Sequence, residues 1–276
     1  MGAQPVAWIS GSLVPADAAV VPIDDHGLVV GDGVFETLKT VGRAPFAARR
    51  HLARLRRSAA ALGIDVAYDD ERLHDAMACV VASTDWPEAR VRVTVTGGRS
   101  PLSSVRGDGP ALVVIAAAPL APPEPVATVA VVPWTRNERG ALAGVKSTSY
   151  AENVVALAFA HERGATEAIF GNNAGRLCEG TGSNVFVVVD GEMLTPPLSS
   201  GCLAGVTRDL VLESGVAREA DVDLAVFRLA DEAFLTSTTR DVQPIATIDG
   251  RSLPRVGGEA TMRAADAFER AASAER

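Results

Sequence analysis

Residues 144–186 read GVKSTSYAENVVALAFAHERGATEAIFGNNAGRLCEGTGSNVF. The stretch opens with a glycine turn and a lysine, continues with apolar residues at helical spacing and a short strand, and closes after a Glu-Gly pair. Lys146 is one of only two lysines in the chain, against 24 arginines. Arginine cannot form an imine, whereas lysine can be deprotonated and form one. We therefore predict that Lys146 is a Schiff-base lysine and that the chain builds a cofactor site around it.

Composition bounds the class of protein. The chain has 276 residues, 47% hydrophobic and 22% charged, which suits one large or two modest globular domains. It has no apolar run of about 18 residues and no signal-peptide pattern, so we expect no membrane span. The net charge of −8 disfavours nucleic acid as a partner. The odd number and wide spacing of Cys79, Cys178 and Cys202 favour a reducing cytoplasm over a disulfide framework or a zinc site.

A proline-rich segment suggests two domains. Four prolines lie within residues 119–125, and this density predicts an extended linker. It would separate a small N-terminal α/β domain at residues 1–118 from a larger C-terminal domain at 126–276. Helix and strand patterns on both sides predict a mixed α/β (α+β) fold. Examples are strands at 18–23, Val34–Thr40 and Ala89–Thr96 and a helix at Asp70–Ala82.

Two loops of small residues are suited to an anion. Val206 and Thr207 follow Gly205 at a predicted helix start, where unpaired N–H groups and the helix dipole favour negative charge. The stretch 237–239 places adjacent hydroxyl groups after a strand. Each loop alone is more often a helix cap or a turn. Together with an arginine from the Arg-rich helix before Gly63, they would satisfy a phosphate group.

Glu179 follows a predicted strand and precedes a glycine-rich turn. A carboxylate here is either a surface charge or the partner of a pyridinium nitrogen. In the second case it keeps the ring protonated, so that the ring accepts electrons from the substrate α-carbon. Pyridoxal phosphate chemistry requires that pairing.

Ordered motifs extend this interpretation to nearly the whole chain. From Trp8 to Asp249 the sequence resembles the fold-type IV pyridoxal-phosphate enzymes, the class IV aminotransferases, which include branched-chain aminotransferases, D-amino-acid aminotransferases and 4-amino-4-deoxychorismate lyase. The motifs are G-D-G-V-F-E, H-L-A-R-L, K-S-T-S-Y-A-E-N, E-A-I-F, C-E-G-T-G-S-N-V-F, T-P-P, G-V-T-R-D and L-T-S-T-T. The resemblance implies pyridoxal 5'-phosphate as cofactor and a homodimer.

The resemblance also implies roles for residues that contact the cofactor ring. Lys146 would form the internal aldimine and move the α-proton, and Glu179 would pair with the pyridine nitrogen. Many family members set a tyrosine shortly after the lysine, against the phenolic oxygen of the cofactor. Tyr150 stands one position early for that role, and it is the candidate here.

The phosphate-binding residues follow in the same way. Arg54, in H-L-A-R-L, is similar to the phosphate-binding arginine of the family. Val206 and Thr207, together with Thr238 and the adjacent Ser237, would complete the phosphate site through backbone and hydroxyl donors. These positions agree with the two loops and the arginine that the residues themselves indicate.

The substrate site departs from the family pattern. D-amino-acid aminotransferases bind the substrate carboxylate with a tyrosine before G-D-G and an Arg-x-His pair. Leu28 stands at the first position, and residues 97–104 lack the pair. A carboxylate in an apolar pocket still needs a cation or several donors. The loop arginines that could serve are Arg99, Arg106, Arg136 and Arg139.

The resemblance implies a transaminase that moves an amino group between an amino acid and a 2-keto acid, and we favour a D-amino acid such as D-alanine or D-glutamate. The alternatives are 4-amino-4-deoxychorismate lyase, which releases pyruvate and 4-aminobenzoate, and a branched-chain L-amino-acid aminotransferase. A cofactor-carrying protein without turnover would need neither Lys146 nor Glu179. The four histidines have no metal-like spacing, so we expect no metal and place them at the surface or at caps.

Overall fold

A computed structural model describes residues 5–275. The described chain forms two units. The N-terminal unit runs to Ala121 and includes Val145–Tyr150, and the C-terminal unit comprises Pro122–Gly144 and Ala151–Glu275. The predicted boundary places residues 145–150 in the C-terminal domain, but hydrogen bonds to a strand of the N-terminal unit join them to that unit instead. The linker at residues 119–125 stays a prediction.

The N-terminal unit is built on one antiparallel sheet. Its strands and helices are β1 (Val6–Ile9), β2 (Ser12–Pro15), α1 (His26–Val29), β3 (Gly33–Val41), β4 (Ala44–Pro45), α2 (Ala48–Ala61), α3 (Asp70–Ala82), β5 (Ala89–Thr96) and β6 (Leu112–Pro119). Within the described residues, six strands pair in the order β2-β1-β6-β5-β3-β4. Helices α2 and α3 pack on this sheet.

The core of this unit follows the periodicity of its sequence. Leu52, Leu55 and Ala59 recur at helical spacing on α2 and are buried against the sheet. Helix α3 and strand β5 have the predicted bounds. The Asp69 carboxylate accepts a hydrogen bond from Arg72 N at 2.8 Å and caps the start of α3.

The predicted strand at residues 18–23 is wrong. In the described chain this segment joins no sheet and follows a 3-10 turn at Ala16–Ala18. Pro22 offers no backbone donor, and the side chains of Val20 and Ile23 are exposed. The apolar composition of the segment therefore does not reflect burial in a sheet.

The C-terminal unit is built on a larger mixed sheet. Its strands and helices are β7 (Ala127–Arg136), α4 (Ala151–His161), β8 (Glu167–Asn172), β9 (Leu177–Gly180), β10 (Asn184–Val189), β11 (Glu192–Thr195), α5 (Val206–Glu213), β12 (Arg218–Glu219), α6 (Leu224–Arg228), β13 (Glu232–Ser237), β14 (Asp241–Ile248), β15 (Arg251–Ser252) and α7 (Glu259–Ser273). Among the described residues, nine strands form the sheet, in the order β12-β11-β10-β13-β14-β7-β8-β9 with β15 beside β14.

The strand and helix ends of this sheet position polar residues. Strand β9 ends at Glu179-Gly180, β13 ends at Ser237, and α5 begins at Val206. Helix α4 packs on β7 and β8, and α5 and α7 pack on each other. Across residues 5–275, no helix combines the length and the apolar character needed to cross a membrane.

Candidate active site

In the N-terminal unit, backbone hydrogen bonds hold Lys146 on strand β3. Phe35 N donates to Lys146 O at 3.0 Å, and Thr148 N donates to Gly33 O at 2.8 Å. Lys146 N donates to Ser58 Oγ on α2 at 3.3 Å. The lysine segment thus pairs with β3 in an antiparallel sense and is fixed at both sides of Lys146.

The glycines of G-D-G make room for this segment. The hydroxyl groups of Thr148 and Ser149 donate to Gly31 O at 2.8 and 3.0 Å. A Cβ atom on Gly33 would lie 2.8 Å from Val95 O and 3.0 Å from Thr148 Oγ1. Gly31 has a φ of +72°, which a side chain would strain. These glycines therefore form the docking surface of the lysine segment.

The Lys146 side chain lies against aromatic rings. Its Nζ is 4.4 Å from the centroid of the Phe35 ring and 5.9 Å from that of Tyr150. The two rings meet edge to face at 5.2 Å. The guanidinium of Arg92 covers the same Phe35 ring, with Cζ 3.7 Å from the centroid. The structure thus places Tyr150 beside the predicted Schiff-base lysine, and it places an arginine that the sequence does not single out on the same Phe35 ring.

Arg54 belongs to a buried ion-pair cluster. Its Nε and NH2 donate to the two carboxylate oxygens of Glu36 at 2.7 and 2.8 Å. His51 Nδ1 lies 2.7 Å from Glu36 Oε2. Glu36 and His51 are fully buried, and Arg54 is 6% exposed. A bidentate pair of this kind fixes the plane of the guanidinium.

Burial and mutual contact within this cluster shift the pKa values of Glu36 and His51. Burial alone would raise the pKa of the Glu36 carboxyl, but the Arg54 guanidinium and His51 outweigh it and hold that pKa at about 2. Burial lowers the pKa of His51, against the opposing effect of Glu36. At neutral pH the cluster therefore contains an ionised carboxylate, a neutral imidazole and a guanidinium cation.

In the C-terminal unit, two neighbours anchor Glu179. Leu203 N donates to Glu179 Oε2 at 2.9 Å, and Arg136 Nε donates to Glu179 Oε1 at 3.2 Å. The side chains of Glu179 and Arg136 are 13% and 16% exposed. Strand β9 brings Glu179 opposite Phe170 on β8. The carboxylate is thus held by a backbone donor and a cation rather than left as a solvated surface charge.

The guanidinium of Arg136 has further partners besides Glu179. Its NH1 donates to Glu152 at 3.0 Å and its NH2 donates to Asn153 Oδ1 at 2.9 Å. Its Cζ lies 4.1 Å from the centroid of the Phe170 ring. As a candidate for the substrate carboxylate, Arg136 already has its guanidinium directed at Glu179 and at α4.

Three of the other substrate candidates lie in the N-terminal unit, whereas Arg139 lies in an exposed turn of the C-terminal unit. Arg99 is largely exposed and pairs with Asp24 at 3.0 Å. Leu28, on α1, is 60% exposed. Arg106 makes a bidentate pair with Asp32, at 2.8 and 2.6 Å. The structure thus gives Arg99 and Arg106 carboxylate partners of their own.

The start of α5 provides donors for an anion. Val206 and Thr207 are buried, and the helix has Gly205 at its N-cap without a side-chain cap. A Cβ atom on Gly205 would lie 1.9 Å from Asn184 Oδ1, so any other residue there would force the Asn184 side chain to move. Among the described residues, the buried Oγ1 of Thr207 has no hydrogen-bond partner. A buried hydroxyl without a partner is costly, which suits a ligand oxygen at this position.

The end of β13 shows the same feature. The hydroxyl groups of Thr236 and Ser237 are buried and have no hydrogen-bond partner within residues 5–275. Thr238 follows in the turn that begins after the strand. Orphaned hydroxyl donors at a helix start and at a strand end fit the demands of a phosphate group.

Sequence reasoning missed several of these residues. Thr236 was hidden because strand alternation treats it as an ordinary buried position. The placement of the histidines at the surface or at caps is wrong for His26 and His51, which are both buried. His26 lies 2.7 Å from Asp32 and 2.9 Å from Ser103 O. A buried histidine with such partners leaves no periodic signal in the sequence.

Comparison with known proteins places this chain in a family. The model of the family described as amino-transferase class IV matches residues 33–248. A putative branched-chain-amino-acid aminotransferase of Methanocaldococcus jannaschii is 31% identical over 274 residues, or 95% of this chain and 94% of that one. A D-alanine aminotransferase of Bacillus licheniformis is 32% identical over 251 residues, or 88% of each.

A solved structure agrees over nearly the whole fold. The crystal structure of the branched-chain aminotransferase from Thermoproteus uzoniensis with norvaline matches with a TM-score of 0.90 and 32% identity, and the match covers 99% of this chain and 96% of that chain. The predicted mixed α/β, fold-type IV architecture is thereby confirmed. Class IV aminotransferases use pyridoxal 5'-phosphate, so the predicted cofactor is confirmed as well. The protein is an enzyme, and its chain belongs to the class IV aminotransferases.

Proposed function

We propose that Lys146 is the lysine that binds pyridoxal phosphate and moves the substrate α-proton, and that Glu179 pairs with the ring nitrogen. The proposed phosphate ligands are Arg54, Val206, Thr207, Ser237 and Thr238. The orphaned buried hydroxyl groups at the start of α5 and the end of β13 support this assignment most strongly. When bound, the cofactor supplies an electron-accepting ring that stabilises negative charge at the substrate α-carbon.

The surroundings of each residue suit its role. Phe35 and Tyr150 form apolar walls beside Lys146 Nζ, which limit the access of water to the base. The backbone N–H of Leu203 and the guanidinium of Arg136 orient the Glu179 carboxylate. Glu36 directs two N–H groups of Arg54 toward itself and so fixes the direction of the guanidinium. Groups held by such contacts need little ordering when a ligand binds, which lowers the cost of binding.

For the substrate, we propose a D-amino acid as amino donor and a 2-keto acid as acceptor. The sequence resembles D-amino-acid aminotransferases in the motifs E-G-x-x-S-N-V-F and T-S-T-T, and this resemblance and the D-alanine aminotransferase relative support this choice. A branched-chain L-amino acid is the second candidate. The branched-chain relative that aligns over almost the whole chain, and the solved branched-chain structure, support that candidate.

An assay with paired substrates distinguishes a D-amino acid from a branched-chain L-amino acid as the amino donor. We expect purified protein with 2-oxoglutarate to convert D-alanine to its keto acid at least about tenfold faster than L-isoleucine or L-leucine, a difference of about 1.4 kcal/mol in the transition state. Keto-acid formation from the L-substrates alone would overturn the D-amino-acid proposal. Release of 4-aminobenzoate from 4-amino-4-deoxychorismate, without transamination, would establish the lyase reaction instead.

Arg92 is our candidate for the substrate carboxylate. That carboxylate is attached to the carbon from which Lys146 takes the proton, so its partner must lie close to Lys146. Arg92 and Lys146 both lie within 4.4 Å of the centroid of the Phe35 ring. Arg92 Nε donates to Thr94 Oγ1 at 3.2 Å. The NH1 and NH2 edge of a guanidinium can bind a carboxylate through two parallel hydrogen bonds.

The change Arg92→Met should raise the KM of the amino donor by about tenfold to a hundredfold, because a charge-assisted bond contributes about 1.5–3 kcal/mol. The matched control is Arg90→Met, which removes an arginine from the neighbouring outward position of β5. Steady-state kinetics of both variants measure the effect. Equal KM values for Arg92→Met and the unmodified enzyme would exclude this role.

A homodimer and a cytoplasmic location, both expected from the sequence, stay predictions. The family resemblance supports the first, and the odd number and wide spacing of the three cysteines support the second.

A further inference from the structure

Glu167 is a buried carboxylate that the proposed chemistry does not use. It opens β8 and is fully buried. Its Oε1 accepts hydrogen bonds from Ala168 N at 3.0 Å and from Thr181 N at 3.1 Å, and also from Thr181 Oγ1. Its Oε2 accepts from Ser183 Oγ at 3.2 Å. A buried charge is retained only with such partners, since its desolvation is costly.

Three of these donor groups, on Thr181 and Ser183, belong to the turn that follows Glu179. Gly180 N donates to Ser183 O at 2.8 Å and closes the turn. A Cβ atom on Gly180 would lie 2.3 Å from Ser183 Oγ and 3.3 Å from Glu167 Cγ. The turn therefore packs directly on the Glu167 side chain, and Glu179 precedes it by one residue.

The same carboxylate reaches a second turn. Arg240 NH2 lies 3.2 Å from Glu167 Oε2. Arg240 N donates to Ser237 O at 3.2 Å, which closes the turn after β13. Arg240 NH1 also donates to Gln243 Oε1 at 3.1 Å, on β14. This second turn carries Ser237, whose buried hydroxyl has no partner in the described chain, and Thr238.

We propose that Glu167 is a positioning residue for the cofactor phosphate. The Glu167 carboxylate joins the turn after Glu179 to the turn that carries Ser237 and Thr238. It accepts hydrogen bonds from the first turn and pairs with Arg240 of the second. The proposal rests on the proposed function, because it takes Ser237 and Thr238 as phosphate ligands. Turns of small polar residues have many conformations, and a shared buried partner removes the entropy cost of ordering them when phosphate binds.

The test compares a ligand with and without phosphate. Glu167→Gln keeps the size of the side chain and removes the charge that pairs with Arg240. In the full chain freed of cofactor, we expect its Kd for pyridoxal 5'-phosphate to rise about tenfold or more, the effect of losing one charge-assisted bond. The Kd for pyridoxal, which lacks the phosphate, should change by less than about threefold. Absorbance titrations of both ligands give the ratio of the two constants.

The chain offers a matched control in the same unit. Glu232 is 2% exposed, and its Oε1 accepts hydrogen bonds from Thr261 N and Thr261 Oγ1, both at 2.7 Å, at the start of α7. Glu232→Gln should lower thermal stability but leave the ratio of the pyridoxal and pyridoxal phosphate constants unchanged. If Glu232→Gln and Glu167→Gln change the ratio equally, a general loss of stability explains both and the positioning role is overturned.

A second variant covers the case in which Glu167→Gln does not fold. Arg240→Met breaks the same ion pair from its more exposed side, where the Arg240 side chain is 24% exposed. We expect Arg240→Met to reduce the preference for pyridoxal 5'-phosphate over pyridoxal, as Glu167→Gln does. The double variant should be no worse than either single one, since each already breaks the pair.

Thr207→Val separates this inference from the proposed function. It removes a proposed phosphate ligand directly, so an unchanged ratio in Thr207→Val would reject the phosphate site itself. If Thr207→Val lowers the preference for the phosphorylated ligand while Glu167→Gln and Arg240→Met do not, the phosphate site stands and the role of Glu167 is overturned. A loss in all three variants, with none in Glu232→Gln, supports the proposal.

Discussion

Lys146→Ala should abolish transamination, with a fall in kcat of at least about a thousandfold, because the proposed roles of Lys146 in covalent attachment of the cofactor and as the base are both lost. The purified variant should also lose the visible absorption band that a lysine-bound cofactor gives. Absorption spectra and single-turnover rates of the two proteins measure these effects. A variant that keeps both the band and the rate would reject Lys146 as the cofactor lysine.

The chain supplies a matched control for this change. Lys39 is the only other lysine in the sequence, and it also lies beside a ring, with Nζ 5.4 Å from the centroid of Phe46. Lys39→Ala should keep the visible band and the rate. An added primary amine of small size should restore part of the activity of Lys146→Ala, since it can replace the missing base but not the covalent bond.

Lys146 and Glu179, the two central residues of the proposed site, could be selected from the sequence because their chemistry is rare. A single lysine after a glycine turn, and a glutamate before a glycine-rich turn, stand out in a chain whose positive charge is otherwise arginine. The Thr207 and Ser237 loops were predictable for a similar reason, since hydroxyl groups at a helix start or a strand end suit anions. Local composition was sufficient for these residues.

The partners of these residues were not predictable in the same way. Arg136 and Glu179 are 43 positions apart, and Arg54 and Glu36 are 18 apart. On β3, Glu36 lies on the same face as Val34 and Leu38, and the structure buries all three side chains. A pattern of apolar residues cannot reveal a charged side chain whose burial depends on a distant partner.

Distant partners also explain why residues 145–150 belong to the N-terminal unit and not to the predicted C-terminal domain. Sequence position assigns them to the domain that follows the proline-rich segment. Their backbone hydrogen bonds to β3 involve Gly33 and Phe35, more than one hundred positions earlier. Strand pairing between such distant segments depends on the tertiary fold, which local propensity does not contain.

The buried cluster of Glu36, His51 and Arg54 gives the second large effect. Glu36→Gln leaves the Arg54 charge buried at 6% exposure without its carboxylate partner. Breaking a buried ion pair on one side typically costs about 3–5 kcal/mol, so we expect a loss of this size in the free energy of unfolding. Urea unfolding of the full chain at neutral pH measures it.

An exposed pair provides the comparison. Glu259 and Arg263 form a pair at 3.0 Å on α7, in which the Glu259 side chain is 85% exposed. Glu259→Gln should change stability by less than about 0.5 kcal/mol, because solvent screens such a pair. Equal urea midpoints for Glu36→Gln and the unmodified protein would show that the buried cluster does not stabilise the fold.

The same cluster makes the free energy of unfolding depend on pH, and the sign of this dependence follows from the pKa of Glu36. In the folded protein this pKa is lowered from 4.5 to about 2. The stabilisation is complete above pH 4.5, and it is lost as the pH falls toward 2, because the unfolded chain then binds a proton that the folded chain does not. The difference corresponds to about 3 kcal/mol.

The lowered pKa of His51 acts in the same direction below pH 6.5. Unfolding between pH 6 and pH 3 should therefore show a steeper acid loss for the unmodified protein than for Glu36→Gln, and parallel curves would contradict the assignment of this charge to Glu36.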